Sequence, residues 1–365
     1  KGAGGRPLTL NHASYQVLNT LGLTAALRQQ MTPVDSVHVS LKANFGSMRF
    51  TRELLEVEHL GYVVPYVELA RTLYDYACSQ GVSFVSGELT AIVHEPDSVN
   101  VKAKTESGVS EWSAALCVGA DGAQSFCRKL LNFDSDENDT QYQAEVFRLD
   151  LSRTHRNQAY QRFTDTGSMA VVPLFDEQQY RMIWTHGNLS QGSLSLFDAR
   201  KYIESVYGDY LPKITGIERL SMFPLRHLFV PDPVQQRCLL MGNAAYVFYP
   251  ITAQGFNLGL LDAAALVQIL VQQRRLKRDI GAAGMFREYT RWRVPVHKKM
   301  MQLTQGIASV FDGSLACFNG ARGLALSAMD IFPVAKQRMG RRLLGLSGKV
   351  PDLALGVTLD GSYEK

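Results

Sequence analysis

The sequence has no pair of cysteines at metal or disulfide spacing: Cys78, Cys117, Cys127, Cys238 and Cys317 stand singly, with no C-x-x-C and no Cys/His cluster. That excludes a zinc site and a disulfide scaffold, and it fits a reducing compartment. No uninterrupted apolar run reaches the roughly 18 residues of a membrane span, and no cleavable leader is visible, so a cytoplasmic location is expected. Net charge is only +4 over 365 residues, which leaves no electrostatic footprint for nucleic acid. There is no Ser/His/Asp triad, no paired-carboxylate motif, no internal repeat and no low-complexity linker. His186 and His227 are single histidines without evident partners, which reads as surface or loop placement rather than catalysis.

What is present is a globular chain, 46% apolar and 20% charged, long enough for two domains with substantial cores. Val37 to Leu41 alternates as a strand, Ala13 to Leu21 and Val67 to Ala77 read as helices, and Val82 to Val85, Leu89 to Val93, Val99 to Ala103 and Ala115 to Val118 read as short strands. Strands predominate from Gln143 to Leu225, with an antiparallel pair turning at Asp176 and Glu177. From Ala263 to Gly345 the pattern is mostly helical. Trp184, Met222 and Phe223 are candidates for an apolar pocket, against the commoner fate of such residues as core.

Two stretches carry chemistry. In the first, Leu240 to Asp262, an apolar strand ends at Gly242 and Asn243, a loop is stiffened by Pro250, and an amphipathic helix opens at Gln254, Gly255, Phe256 and Asn257. A helix start offers free N–H groups and a positive dipole end to an electron-rich ring or a phosphate. In the second, Leu116 to Arg128, a strand ends at Gly119, Asp121 and Gly122 form the turn, and Ser125 caps the next helix. Asp121 there can accept sugar hydroxyls and Arg128 can meet a pyrophosphate; the other reading is an Asp-Gly turn that caps a surface helix.

The first stretch resembles the flavin motif G-D-A-A-H, P, G-Q-G-x-N-x-G and D of the FAD-dependent aromatic hydroxylases, with Asn243, Tyr246 and Ala253 where Asp, His and Gly are usual. The second resembles the V-G-A-D-G-x-x-S-x-x-R segment of the same family. Further matches at Arg162 to Leu174, Phe223 to Leu225 and Asp330 to Pro351 resemble the branch acting in ubiquinone biosynthesis. Asn243 also occurs in the member of that branch that hydroxylates a polyprenyl methoxyphenol. Such enzymes open with strand, G-x-G-x-x-G and helix. Here Arg6 and the helix behind it look like the segment after the second strand, so roughly one βαβ unit, about 40 residues, would stand ahead of them.

The resemblance implies an α/β flavin-hydroxylase fold, with a Rossmann-like FAD domain interleaved with an antiparallel-sheet substrate domain and a helical C-terminal region. The division expected is 1–141 and 234–275 for FAD, 142–233 for substrate with 36–60 contributing, and 276–365 for the helices. It implies FAD held by Arg6, Asp121, Gly122, Gly242, Asn243, Pro250, Gln254, Gly255 and Asn257. Pro250 and the backbone of Gly255, Phe256 and Asn257 would lie near the ring, with no metal and no catalytic side chain. NAD(P)H would reduce the flavin, and O2 would form a C4a-hydroperoxide that hydroxylates a polyprenylated phenol. The basic residues from Arg287 to Lys299 and from Lys336 to Lys349 share helices with apolar ones. A solvated face is their default reading, and a membrane surface or a quinone-synthesis complex is the functional one, which would make the protein peripheral on the inner face of the membrane. A small soluble aromatic substrate, or a non-catalytic role in such a complex, are the other readings.

Overall fold

The structure is a computed structural model that describes residues 7–42, 46–164, 167–187, 194–248, 254–311 and 330–360. Arg6 and Pro250 lie outside the described residues. The chain begins with β1 (Pro7–Asn11) and α1 (His12–Thr20); the Asn11 side chain accepts the Ser14 N–H at 3.0 Å and so fixes the helix start. Next come α2 (Thr24–Leu27), β2 (Thr32–Val34), β3 (Ser36–Leu41), β4 (Ser47–Thr51), α3 (Arg52–Leu55), β5 (Gly61–Pro65) and α4 (Tyr66–Ser79). A meander of β6 (Gly87–His94), β7 (Val99–Thr105) and β8 (Gly108–Ala114) leads to β9 (Cys117–Gly119) and α5 (Phe126–Leu130). Then follow β10 (Asp136–Leu151), β11 (Gln158–Thr164), β12 (Gly167–Pro173), β13 (Gln179–Gly187), α6 (Leu196–Tyr207) and β14 (Ile214–Phe229). The last part holds β15 (Val234–Gln235), β16 (Cys238–Leu240), β17 (Tyr246–Val247), α7 (Gln254–Arg275), α8 (Ala283–Phe311) and α9 (Pro333–Leu343).

Eight strands form the largest sheet, in the order β17-β14-β10-β13-β12-β11-β3-β4. Every pairing in it is antiparallel except β3 with β11, which run parallel from Ser36 opposite Gln158 to Leu41 opposite Phe163. Because strand side chains alternate between faces, Phe147, Leu149, Met169, Val171, Tyr180 and Met182 line one face. They are buried beneath Ala199, Ile203, Val206 and Tyr207 of α6. The other face, with Leu41, Met48, Phe50 and Phe163, packs against Leu55 and Leu344. Residues 36–51 thus belong to this sheet although they precede its other strands by about a hundred positions.

Val82 to Val85 is not a strand. Its alternation is that of one, yet no described strand pairs with it, and Val82, Phe84 and Val85 are exposed. A strand exists only where a neighbour takes up its N–H and C=O groups. α7 is long and apolar enough by composition to cross a membrane, but half of its most apolar window is buried inside the protein. Leu261, Ala265 and Ile269 pack inward on it beside a buried Asp262, the pattern of a core helix.

Candidate functional site

β9 and β16 run parallel and in register, with Gly119 opposite Leu240, and the Met241 N–H donates to the Gly119 carbonyl at 2.9 Å. Both strands therefore end at the same edge, where open α/β sheets bind their ligands. A Cβ on Gly119 would lie 2.8 Å from both Cys127 Cβ and Leu240 Cδ2, so this strand end accepts no side chain. Gly122 and Gly242, just beyond the two strands, have φ of +84° and +59°, a region that favours glycine. Asn243 stands exposed at the mouth.

Arg128 fastens these two strand ends together. It is buried, and its guanidinium donates to the Ala244 carbonyl at 2.9 Å, the Ala123 carbonyl at 2.7 Å and Glu137 Oε1 at 3.1 Å. Three of its five guanidinium N–H groups are engaged in this way, which makes Arg128 a tie between the two loops. Asp121 Oδ2 accepts the Cys127 N–H at 3.0 Å, and Ser125 Oγ accepts the Arg128 N–H at 2.9 Å, so both cap α5. Burial pushes the Asp121 carboxyl up, but the Ser125 hydroxyl and the α5 N–H groups outweigh it and hold its pKa below the usual value. Asp121→Ala should cost about 0.5–2 kcal/mol through the lost cap and weaken cofactor binding. Urea denaturation and flavin titration read the two effects separately, and a variant unchanged in both would remove Asp121 from the site.

At the start of α7 the amide side chains turn inward. Asn257 Oδ1 accepts the Asn11 N–H at 2.9 Å and its Nδ2 donates to the Thr9 carbonyl at 2.8 Å, while Gln254 Nε2 donates to the Leu343 carbonyl at 3.1 Å. Both residues are buried. They hold the helix start against β1 and the end of α9. Gly255 is partly exposed, and a Cβ built on it meets nothing within 4 Å. Phe256 packs toward the cluster around Leu10 and Leu18. A helix N-terminus with a bare Cα, beside two glycine-bearing strand ends, is a cradle that fits an anionic dinucleotide and an electron-rich ring.

Behind this cradle lies a buried cluster that motif reading did not find. Asp262 of α7 is completely buried; it is bonded by the Tyr246 hydroxyl, by Arg293 Nε at 2.5 Å and by His297 Nε2 at 2.9 Å from each carboxylate oxygen. Burial alone would raise the Asp262 carboxyl, yet His297, Arg293 and Tyr246 together hold it below its usual pKa. Arg293 and His297 are one turn apart on α8, a spacing that puts both on one face, but nothing in sequence shows which carboxylate that face meets.

His186, read as partnerless, is paired. Its Nε2 lies 3.0 Å from Glu145 Oε1, and Arg219 Nε donates to Glu145 Oε2 at 2.7 Å. Glu145 is only 1% exposed; burial raises its carboxyl, and the bonds and charges of His186 and Arg219 bring it below the ordinary range. Trp184 is core, stacked on Tyr202 at 5.1 Å between ring centroids, whereas Met222 is half exposed. His227 is partly buried on β14 rather than in a loop.

The family described as FAD binding domain matches residues 2–304. The ubiquinone hydroxylase UbiL of Rhodospirillum rubrum is 27% identical over 370 residues, covering 98% of this chain and 84% of that protein. The 3-demethoxyubiquinol 3-hydroxylase of Escherichia coli is 25% identical over 302 residues, covering 80% and 75%. Among solved structures, Klebsiella pneumoniae HpxO complexed with FAD and uric acid superposes with a TM-score of 0.71 at 16% identity, over 93% of this chain and 87% of that one.

Proposed function

Because the chain belongs to the FAD binding domain family, we propose that it is an FAD-dependent monooxygenase hydroxylating the ring of a polyprenylated phenol in ubiquinone biosynthesis, with NAD(P)H as reductant. The observation that carries the cofactor is the pairing of the β9 and β16 ends beside α7, where a Cβ on Gly259 would lie 3.5 Å from Gly242 Cα. The substrate class rests on the likeness to hydroxylases named for ubiquinone. Bound FAD supplies the redox chemistry, in which one oxygen atom of O2 goes to an electron-rich ring.

The rest is done by this chain's own residues. Gly122 and Gly242 let the backbone approach the cofactor, and the α7 N–H groups around Gly255 offset negative charge on the reduced ring. Gln254 and Asn257 hold that helix end in place, and Arg128 keeps the two loops in register. In this reading residues 1–35, 61–141 and 234–275 form the cofactor half, and residues 142–233 with 36–60, which supply most of the eight-stranded sheet, form the substrate half.

The test is turnover with phenols of increasing tail length, followed as hydroxylated product by mass. Each CH2 buried on binding contributes about 0.8 kcal/mol, roughly a fourfold gain in kcat/KM while the cleft still covers the tail. Tailless phenols hydroxylated as efficiently as tailed ones would assign a small soluble substrate, and NAD(P)H oxidation with no product would show the phenol class to be wrong.

A further inference from the structure

α9 turns one face to the protein and leaves the other unpartnered. On the inner side, Gly340 lies so close to Leu55 that a Cβ there would be 2.5 Å from Leu55 Cδ2. Gln337 Nε2 donates to the Leu54 carbonyl at 3.1 Å, and Met339 and Leu343 pack into the cluster around Phe50. Outward, Val334, Arg338 and Arg341 follow one another at helical spacing, with Arg342 beside them, all exposed. Just before the helix, Ile331 and Phe332 protrude. Ile331, Phe332 and Val334 are 73%, 63% and 68% exposed, among the highest values for large apolar side chains in the described residues. Asp330, the acid nearest in sequence to this patch, is occupied by Lys336 Nζ at 2.6 Å and the Arg49 N–H at 3.3 Å. None of the ion pairs among the described residues involves Arg338, Arg341 or Arg342.

We propose that α9 is a membrane-docking helix: Ile331, Phe332 and Val334 enter the acyl boundary of an anionic bilayer while Arg338, Arg341 and Arg342 meet its headgroups. Three exposed apolar side chains within four positions, next to arginines that make no ion pair among the described residues, form a small amphipathic patch suited to insertion into lipid, whereas a protein partner needs a larger complementary surface. The uncompensated arginines match an anionic leaflet, where each basic residue contributes about fivefold in partition, equivalent to ~1 kcal/mol. The inference rests on the polyprenyl reading only in that a tailed substrate would be drawn from the same bilayer.

The position of α9 makes docking relevant to the cofactor site. Its 11 residues span about 16 Å at 1.5 Å each. The docking patch lies at one end. At the other, the Leu343 carbonyl accepts from both Gln254 Nε2 and Asn11 Nδ2, and the Leu344 carbonyl accepts the Ala13 N–H at 3.0 Å. One short helix therefore joins the bilayer surface to the start of α7.

The experiment is co-sedimentation of the FAD-loaded protein with phosphatidylcholine vesicles and with 70:30 phosphatidylcholine:phosphatidylglycerol vesicles. Wild type should bind the anionic vesicles at least tenfold more tightly and lose that preference in high salt. The combined Ile331→Ser, Phe332→Ser and Val334→Ser variant, and separately Arg338→Glu with Arg341→Glu, should each bind at least tenfold more weakly. Their FAD content and their turnover of a tailless phenol in solution should match wild type. Wild type left in the supernatant, or variants that bind as tightly as wild type, would overturn the proposal. Turnover of a tailed phenol in detergent micelles separates the two readings: its presence without vesicle binding sinks docking alone, and vesicle binding without it sinks the substrate alone.

Discussion

Replacing Asp262 with alanine should cost about 3–5 kcal/mol of stability, because it leaves the buried Arg293 guanidinium without its counter-charge. Asp262, Arg293 and His297 are 0%, 2% and 3% exposed, so water cannot take over. Arg293 Nη2 already has no hydrogen-bond partner among the described residues, which makes Asp262 its one evident source of compensation. Tyr246→Phe, which removes one donor and leaves the charges paired, should cost only about 0.5–1.5 kcal/mol. Asp262 titrates below its usual value in the folded protein. Its contribution is therefore fully present above the unfolded pKa of about 3.9 and is lost as pH falls through the lower folded value. Urea midpoints at pH 7 and in acid measure this; an Asp262→Ala protein within 1 kcal/mol of wild type at pH 7 would show that the cluster does not hold α7 to α8.

Gly255→Val should do the opposite, leaving the fold intact and removing the cofactor. An added Cβ at Gly255 meets no atom of the described residues beyond its own helix turn within 4 Å, so the helix start has room for a side chain. The open space is where the ring edge would approach the helix start. A branched side chain there should weaken FAD binding about 5- to 150-fold, the 1–3 kcal/mol that an inserted group costs in a packed site. Flavin fluorescence titration gives the affinity and circular dichroism the fold. Unchanged affinity would mean that the ring lies elsewhere, whereas an unfolded variant would mean that this space is closed in solution.

Local features of the fold were legible because the residues that cause them are neighbours in sequence. The strands at Leu89 to Val93 and Val99 to Ala103 follow from alternation, and the α5 cap follows from Ser125 standing three residues before Arg128. The two glycine-bearing stretches could be singled out for the same reason, and the structure sets them side by side on β9 and β16. What could not be read depends on partners distant in sequence. Val82 to Val85 has a strand's pattern but no described strand to bond with. His186 gained its meaning from Glu145 on another strand, Arg128 from the Ala244 carbonyl, and Asp262 from a helix 31 residues further on. Spacing told that Arg128 is special without telling which way it points.

The bond from Asn11 Nδ2 to the Leu343 carbonyl closes a loop of 332 residues. On a ribosome adding about 5–20 residues per second, Asn11 waits roughly 15–70 seconds before its acceptor has been made. During that time Ala13 and Val17 of α1 lack part of their final covering, which comes from Leu261, Ala264, Leu353 and Ala354. That face of α1 thus stays partly uncovered until these later residues have been made. Thr20 of α1 waits longer still for the Leu353 carbonyl, so a chain stopped before residue 343 is expected to collect in aggregates instead of accumulating as a smaller folded protein.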